Sequence, residues 1–166
     1  EDRRLVTKVE NAITLLKDFS DDRGKGSYIL LIELPEEQTI TIGSLKVVRF
    51  PRGYYAYVGS ALNGFRARLD RHLRKNKKLH WHIDYLLQTA SINNIIICQT
   101  EDRVECTIAQ ALSRQFDSIP GFGSSDCKCH SHLFFTTGKR QMKAKVMSSI
   151  NLLGIKPRLA QDWIGK

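Results

Sequence analysis

Apolar positions along this chain change period several times. Leu5, Val9, Ala12, Ile13 and Leu16 recur at helical spacing, which predicts an amphipathic helix over residues 3–19. A polar, glycine-containing link, residues 20–26, follows. Tyr28 to Leu34 is a nearly continuous apolar run that suits a central strand, stopped by Pro35. Residues 39–42 and 46–50 alternate around Gly43-Ser44, and Pro51-Arg52-Gly53 turns the chain into Tyr54-Tyr55-Ala56-Tyr57-Val58. This reads as an antiparallel meander of about four strands. After Asn63-Gly64 the period becomes helical, and a second helix is predicted over 81–88. A strand over 94–99, a helix over 105–116, a loop over 118–126 and a strand over 132–136 come next, before a basic C-terminal helix with a tail. Strands followed by helices predict an α+β fold: a small antiparallel sheet, a three-stranded core plus an extra hairpin, flanked by helices.

Composition narrows the class. The 166 residues suit a core of ordinary size, and 42% hydrophobic with 26% charged content excludes a disordered chain. No apolar run approaches the roughly 20 residues of a membrane span, and no signal-peptide pattern opens the chain. A cytoplasmic protein with no membrane partner is expected. The net charge of +9 is concentrated. Residues 63–78 carry Arg66, Arg68, Arg71, Arg74, Lys75, Lys77 and Lys78 against Asp70, and residues 137–166 carry seven basic groups against Asp162. Charge placed this way fits a nucleic-acid partner better than scattered solvated faces do.

On the helix after Gly59, Phe65, Leu69 and Leu73 set the apolar face, with Arg68 and His72 on or beside it. An arginine there must be paired, with an acid such as Asp84, or must line a wet cleft, where its fork of donors suits a phosphate. His72 reads equally as a hydrogen-bonded core residue and as a group that orients phosphate or assists proton transfer. His80 and His82 flank Trp81 and are candidates for stacking on nucleic acid or for packing.

Gly26-Ser27-Tyr28, the run Gly53 to Ala61, and Arg68 with His72 resemble the GIY-YIG nuclease superfamily. The blocks His80 to Leu87 and Gly121 to Leu133 resemble more closely an uncharacterised prokaryotic, notably archaeal, branch found alone or joined to an endonuclease III-like glycosylase. The resemblance covers about residues 24–136, leaving residues 1–23 as a helix with a linker and 137–166 as a basic segment packing on or extending the domain. It implies one-metal hydrolysis of a DNA phosphodiester, in repair or processing and in association with repair enzymes, with Mg²⁺ or Mn²⁺ as cofactor. By resemblance Tyr28 is the first-motif and Tyr57 the second-motif tyrosine, one of which helps deprotonate or position the attacking water, while Arg68 stabilises phosphate charge and Glu105 holds the cation. Arg66, Arg71, Arg74, Lys75, Lys77, Lys78 and His80 are the expected nucleic-acid contacts, and Ser60, Ser125, Asp126 and His132 the candidate cleft residues. The first motif reads Gly-Ser-Tyr, and the two motifs are spread about thirty residues apart by the hairpin at 37–50.

Glu105 has two readings. It shares a face with Ile108, Ala109 and Leu112, as a cation ligand would, and it also forms a capping-box-like pair with Asp102. Were it only a cap, a non-catalytic nucleic-acid-binding module would be the alternative. Among the cysteines, Cys98 and Cys106 read as small buried packers. Cys127, Cys129, His130 and His132 have poor spacing for zinc, because such sites draw ligands from separated segments. An extended strand would also send the two cysteines one way and the two histidines the other. The sequence therefore argues against zinc.

Overall fold

A computed structural model describes residues 24–159. The expected helix over 3–19, most of the link after it and the end of the C-terminal tail lie outside the described residues. The elements are strands β1 (Gly26–Leu34), β2 (Gln38–Ile42), β3 (Lys46–Phe50) and β4 (Gly53–Ala61), helices α1 (Phe65–Leu73) and α2 (His82–Leu86), and strand β5 (Ser91–Gln99). Helix α3 (Glu105–Ser113), strands β6 (Asp117–Ser118) and β7 (Leu133–Thr136), helix α4 (Lys139–Leu152) and strand β8 (Arg158–Leu159) complete them. Among the described residues the main sheet has the order β6-β7-β4-β1-β5-β8, and every pairing in it is antiparallel. The fold is α+β.

The expected meander is corrected. β1 pairs with β4, from Gly26 opposite Ala61 to Leu34 opposite Gly53, and β2 and β3 form a separate two-stranded sheet. The reason lies in burial. β1 is apolar on both faces, so it belongs at the centre with long partners on each side and a layer over each face. β2 and β3 bury only one residue each and expose half of their residues, so they cannot fill that position. Their hairpin is anchored through the fully buried Ile42 and Phe50.

Strand alternation then divides the interior in two. Tyr28, Leu30 and Ile32 of β1, Tyr55 and Tyr57 of β4, and Ile95 and Ile97 of β5 face one side, beneath Phe65 and Leu69 of α1 and Ile83 and Leu86 of α2. Ile29, Leu31, Ala56, Val58, Ile96 and Cys98 face the other, beneath Ile108, Ala109 and Leu112 of α3 and Met142, Val146 and Ile150 of α4. Burying each of these larger side chains stabilises the fold by roughly 1.5–3 kcal/mol. Among the described residues no helix is long and apolar enough to cross a membrane.

Candidate functional site

The first core holds a polar cluster. Tyr28 and Tyr57 project from adjacent strands on the same face, and α1 lays His72 over them. Tyr28 Oη and His72 Nε2 are 2.6 Å apart. The ring of His72 also meets Tyr57 edge-on, at 6.1 Å between centroids. Gly59, opposite Tyr28 in the β1–β4 ladder, makes room for this arrangement. A Cβ there would stand 2.4 Å from the Tyr28 phenol oxygen. Burial keeps both phenols well above the usual tyrosine range, reinforced for Tyr57 by the negative charge of Glu105. Burial, together with the charge of Lys77, holds His72 down to about 3, so its imidazole is neutral at physiological pH.

Trp81, just before α2, organises the arginines. The guanidinium carbon of Arg68 lies 4.3 Å from the indole centroid and that of Arg71 4.0 Å from it. Asp84 pairs with Arg71, not with Arg68. Its two oxygens accept from Arg71 at 2.8 Å each, and one also accepts the backbone N–H groups of His80 and Trp81. Lys77 also turns inward, donating to the carbonyls of Arg71 and His72. Two expected phosphate contacts, Arg71 and Lys77, are thus committed to intramolecular partners. Arg66, Arg74, Lys75, Lys78 and His80 remain exposed.

Glu105 is not a helix cap. The residue at the N-cap of α3 is Val104, with no side-chain cap bond, and the Asp102 N–H donates instead to Thr100. The Glu105 carboxylate accepts from Ser60 Oγ at 2.5 Å, and its other oxygen lies 3.0 Å from His132 Nδ1. That second contact has ion-pair distance but poor direction, leaving Nδ1 buried without an aligned hydrogen bond. Burial works to raise the Glu105 pKa. The contacts with His132 and Ser60, and the charge of Arg68, outweigh it and hold the carboxyl below its usual range. Ser60 has the parity of Ala56 and Val58, so Glu105 reaches the end of β4 from the α3 side, while the phenols lie on the α1 side. The groups nevertheless sense one another's charge across the strand end.

Two premises against a metal at the cysteines fail. Cys106 is half-buried on the first turn of α3 and supplies the second segment that the spacing lacked. The loop before β7 is not extended: it closes through Gly121 N–H to the His130 carbonyl at 2.7 Å. Cys127, Cys129 and His132 therefore converge with Cys106, their ligand atoms all within 4.8 Å of one another, while His130 stays exposed. This is a Cys/His cluster that could hold a metal ion. Ser125 and Asp126 stand exposed on the same loop, and no hydrogen bond or ion pair among the described residues joins them to these groups. Cavities of about 450 and 410 Å³ lie elsewhere, the first beside Arg114 and Phe135, the second beside Asn94 and Lys143.

Fold and site together define a class: an α+β protein with a six-stranded antiparallel sheet, a tyrosine–histidine pair under a basic helix, and a carboxylate beside a cysteine–histidine cluster. The model of the domain of unknown function DUF123 matches residues 27–155, and the chain belongs to that family. No curated protein and no solved structure matches it.

Proposed function

We propose that this protein is a metal-dependent endonuclease of the GIY-YIG type that hydrolyses DNA phosphodiester bonds. The observation that carries the reading is the meeting of Tyr28, Tyr57 and His72 on one face of the β1–β4 pair, with the charges of Arg68 and the ionised Glu105 within electrostatic reach.

The donor chemistry of Glu105 fits a hard divalent cation. Its side chain is 29% exposed, it stays ionised, and a hydroxyl stands beside it. Mg²⁺ or Mn²⁺, held by Glu105 with Ser60 alongside, would supply Lewis-acid polarisation of a phosphoryl oxygen. The remaining work falls to the chain. Arg68, held against Trp81, binds the scissile phosphate and meets the charge that builds on it. Tyr57, with its raised pKa, keeps its proton at Oη and donates to a phosphate oxygen. Tyr28 Oη and neutral His72 Nε2, 2.6 Å apart, share a buried hydrogen bond that fixes the Tyr28 phenol beside Tyr57. A phenol so reluctant to ionise is a better orienter than base. The exposed bases of α1 and the segment after it supply non-specific grip on the phosphate backbone.

The test is incubation with supercoiled, branched and single-stranded DNA in Mg²⁺ or Mn²⁺. Wild type cuts at least one substrate, and Arg68→Ala and Glu105→Gln each lower the rate by about 10²–10³-fold while still binding. Binding without cutting on every substrate refutes the nuclease and leaves a nucleic-acid-binding module of the same fold. Association with repair enzymes is part of the same proposal, and co-purification of the tagged chain tests it.

A further inference from the structure

We propose that Cys106, Cys127, Cys129 and His132 form a structural zinc site that fastens the loop before β7 to the first turn of α3. The residue types and their origin match such sites: three thiols and an imidazole, one ligand from a helix and three from a separate loop. The spacing is already near that of the occupied state. Tetrahedral zinc with ordinary bond lengths sets sulfur–nitrogen edges of about 3.6 Å and sulfur–sulfur edges of about 3.8 Å. Cys127 Sγ and His132 Nε2 are 3.4 Å apart, and no pair of ligand atoms exceeds 4.8 Å. Small rotations of the thiols would close the set around one ion, with the thiol protons released to solvent.

The position of His132 is a second, independent observation. Its backbone is fixed on both sides, the N–H donating to the Phe122 carbonyl at 2.8 Å and the carbonyl accepting from Val58 N at 2.9 Å. The residue is 2% exposed, with Nε2 3.4 Å from Cys127 Sγ and Nδ1 3.0 Å from a Glu105 oxygen, close to it but not aligned for a hydrogen bond. An imidazole that ligates through Nε2 carries its proton on Nδ1, and such ligands commonly donate that proton to a carboxylate. The otherwise unsatisfied Nδ1 then has an assigned role. Zinc at Nε2 sets the tautomer, and Nδ1–H orients Glu105. The zinc assignment stands apart from the nuclease reading, and only the importance of orienting Glu105 rests on it. A Cys₃His set leaves no open position, so the ion is a clamp and takes no part in hydrolysis.

The experiment uses the full chain, produced with added zinc and purified under reducing conditions. Elemental analysis is expected to find about one zinc per chain. Replacement by Co²⁺ should give thiolate-to-metal charge-transfer absorption and the intense ligand-field bands of a tetrahedral centre. Cys127→Ser/Cys129→Ser should lose the metal, and His132→Cys, which keeps four ligands, should retain it. Circular dichroism checks that each variant folds. The wild-type spectrum decides the matter even if the double variant does not fold. Reduced thiols with no bound zinc, a disulfide among Cys106, Cys127 and Cys129, or full zinc retention in the double variant would each overturn the site. Cleavage of DNA plays no part in these readouts, so they are distinct from the test of the nuclease.

Discussion

His72 is the group whose protonation the fold should resist most measurably. In the unfolded chain its pKa is near 6.5, and in the folded protein it falls to about 3. A lowered pKa means that the unfolded chain binds the proton first. The stability that depends on neutral His72 is therefore complete above pH 6.5 and is lost as pH falls from there towards 3. At pH 5 about 97% of unfolded chains carry this proton against about 1% of folded ones, so lowering pH from 7 to 5 costs about 2 kcal/mol through His72 alone. Urea unfolding at the two pH values measures the loss. His82, also lowered by burial, contributes in the same direction, so the test is a difference between proteins. His72→Gln keeps a polar group facing Tyr28 but cannot titrate. Its stability should fall by about 2 kcal/mol less than that of wild type over the same interval. Parallel loss in the two proteins would refute a dry His72 and the neutral Tyr28–His72 hydrogen bond that depends on it.

Other perturbations test separate parts of the structure. Gly59→Ala drives a methyl group into the Tyr28 phenol, and denaturation should show a loss of about 1–3 kcal/mol. An unchanged midpoint would show that Tyr28 is not seated in that notch. Asp84→Ala strands the half-buried Arg71 and two backbone N–H groups, and should cost about 3–5 kcal/mol. The exposed Arg49–Glu37 pair, removed by Glu37→Ala, should cost under about 1 kcal/mol in the same assay. Arg66→Ala, Arg74→Ala, Lys75→Ala and Lys78→Ala each remove one phosphate-binding charge, and each should flatten the log–log salt dependence of duplex binding by about 0.9. Salt-independent binding would remove nucleic acid as the partner.

Much of the fold is written in short-range pattern. The parity of Tyr28 and Tyr57 puts both phenols on one face, and the spacing of Phe65, Leu69 and His72 lays α1 over them. The resemblance sets residues 37–50 apart as an extra hairpin, as the separate β2–β3 sheet shows, but short-range pattern alone reads them as part of a meander. Adjacent hairpins normally pair in sequence, and nothing local shows that β1 passes over two strands to join β4. The information lies in the contrast between a strand that is apolar on both faces and two strands that are half polar. That contrast acts only when all four compete for the centre of one sheet. Trp81 was legible as an aromatic beside two histidines but not as the surface that holds Arg68 and Arg71, because its partners come from a different helix.

Glu105 shows where local reading stops. Asp102 and Glu105 have the spacing of a capping pair, yet the carboxylate turns to Ser60, 45 residues earlier in the chain, and to His132. A cap bond would satisfy one orphan N–H at the start of α3, a gain of about 1 kcal/mol. At the end of β4 the same carboxylate accepts from the partly buried Ser60 hydroxyl and lies 3.0 Å from the buried His132 imidazole, in a drier setting where an unmet polar group costs about 1–3 kcal/mol. The tertiary contacts win, and they carry Cys106 with them. One residue further along the helix, Cys106 is turned about a quarter of a circle from Glu105, towards the loop that holds Cys127 and Cys129. The placement of Glu105 at the strand end and the gathering of the cysteines therefore have one geometric cause, the docking of the first turn of α3 against His132.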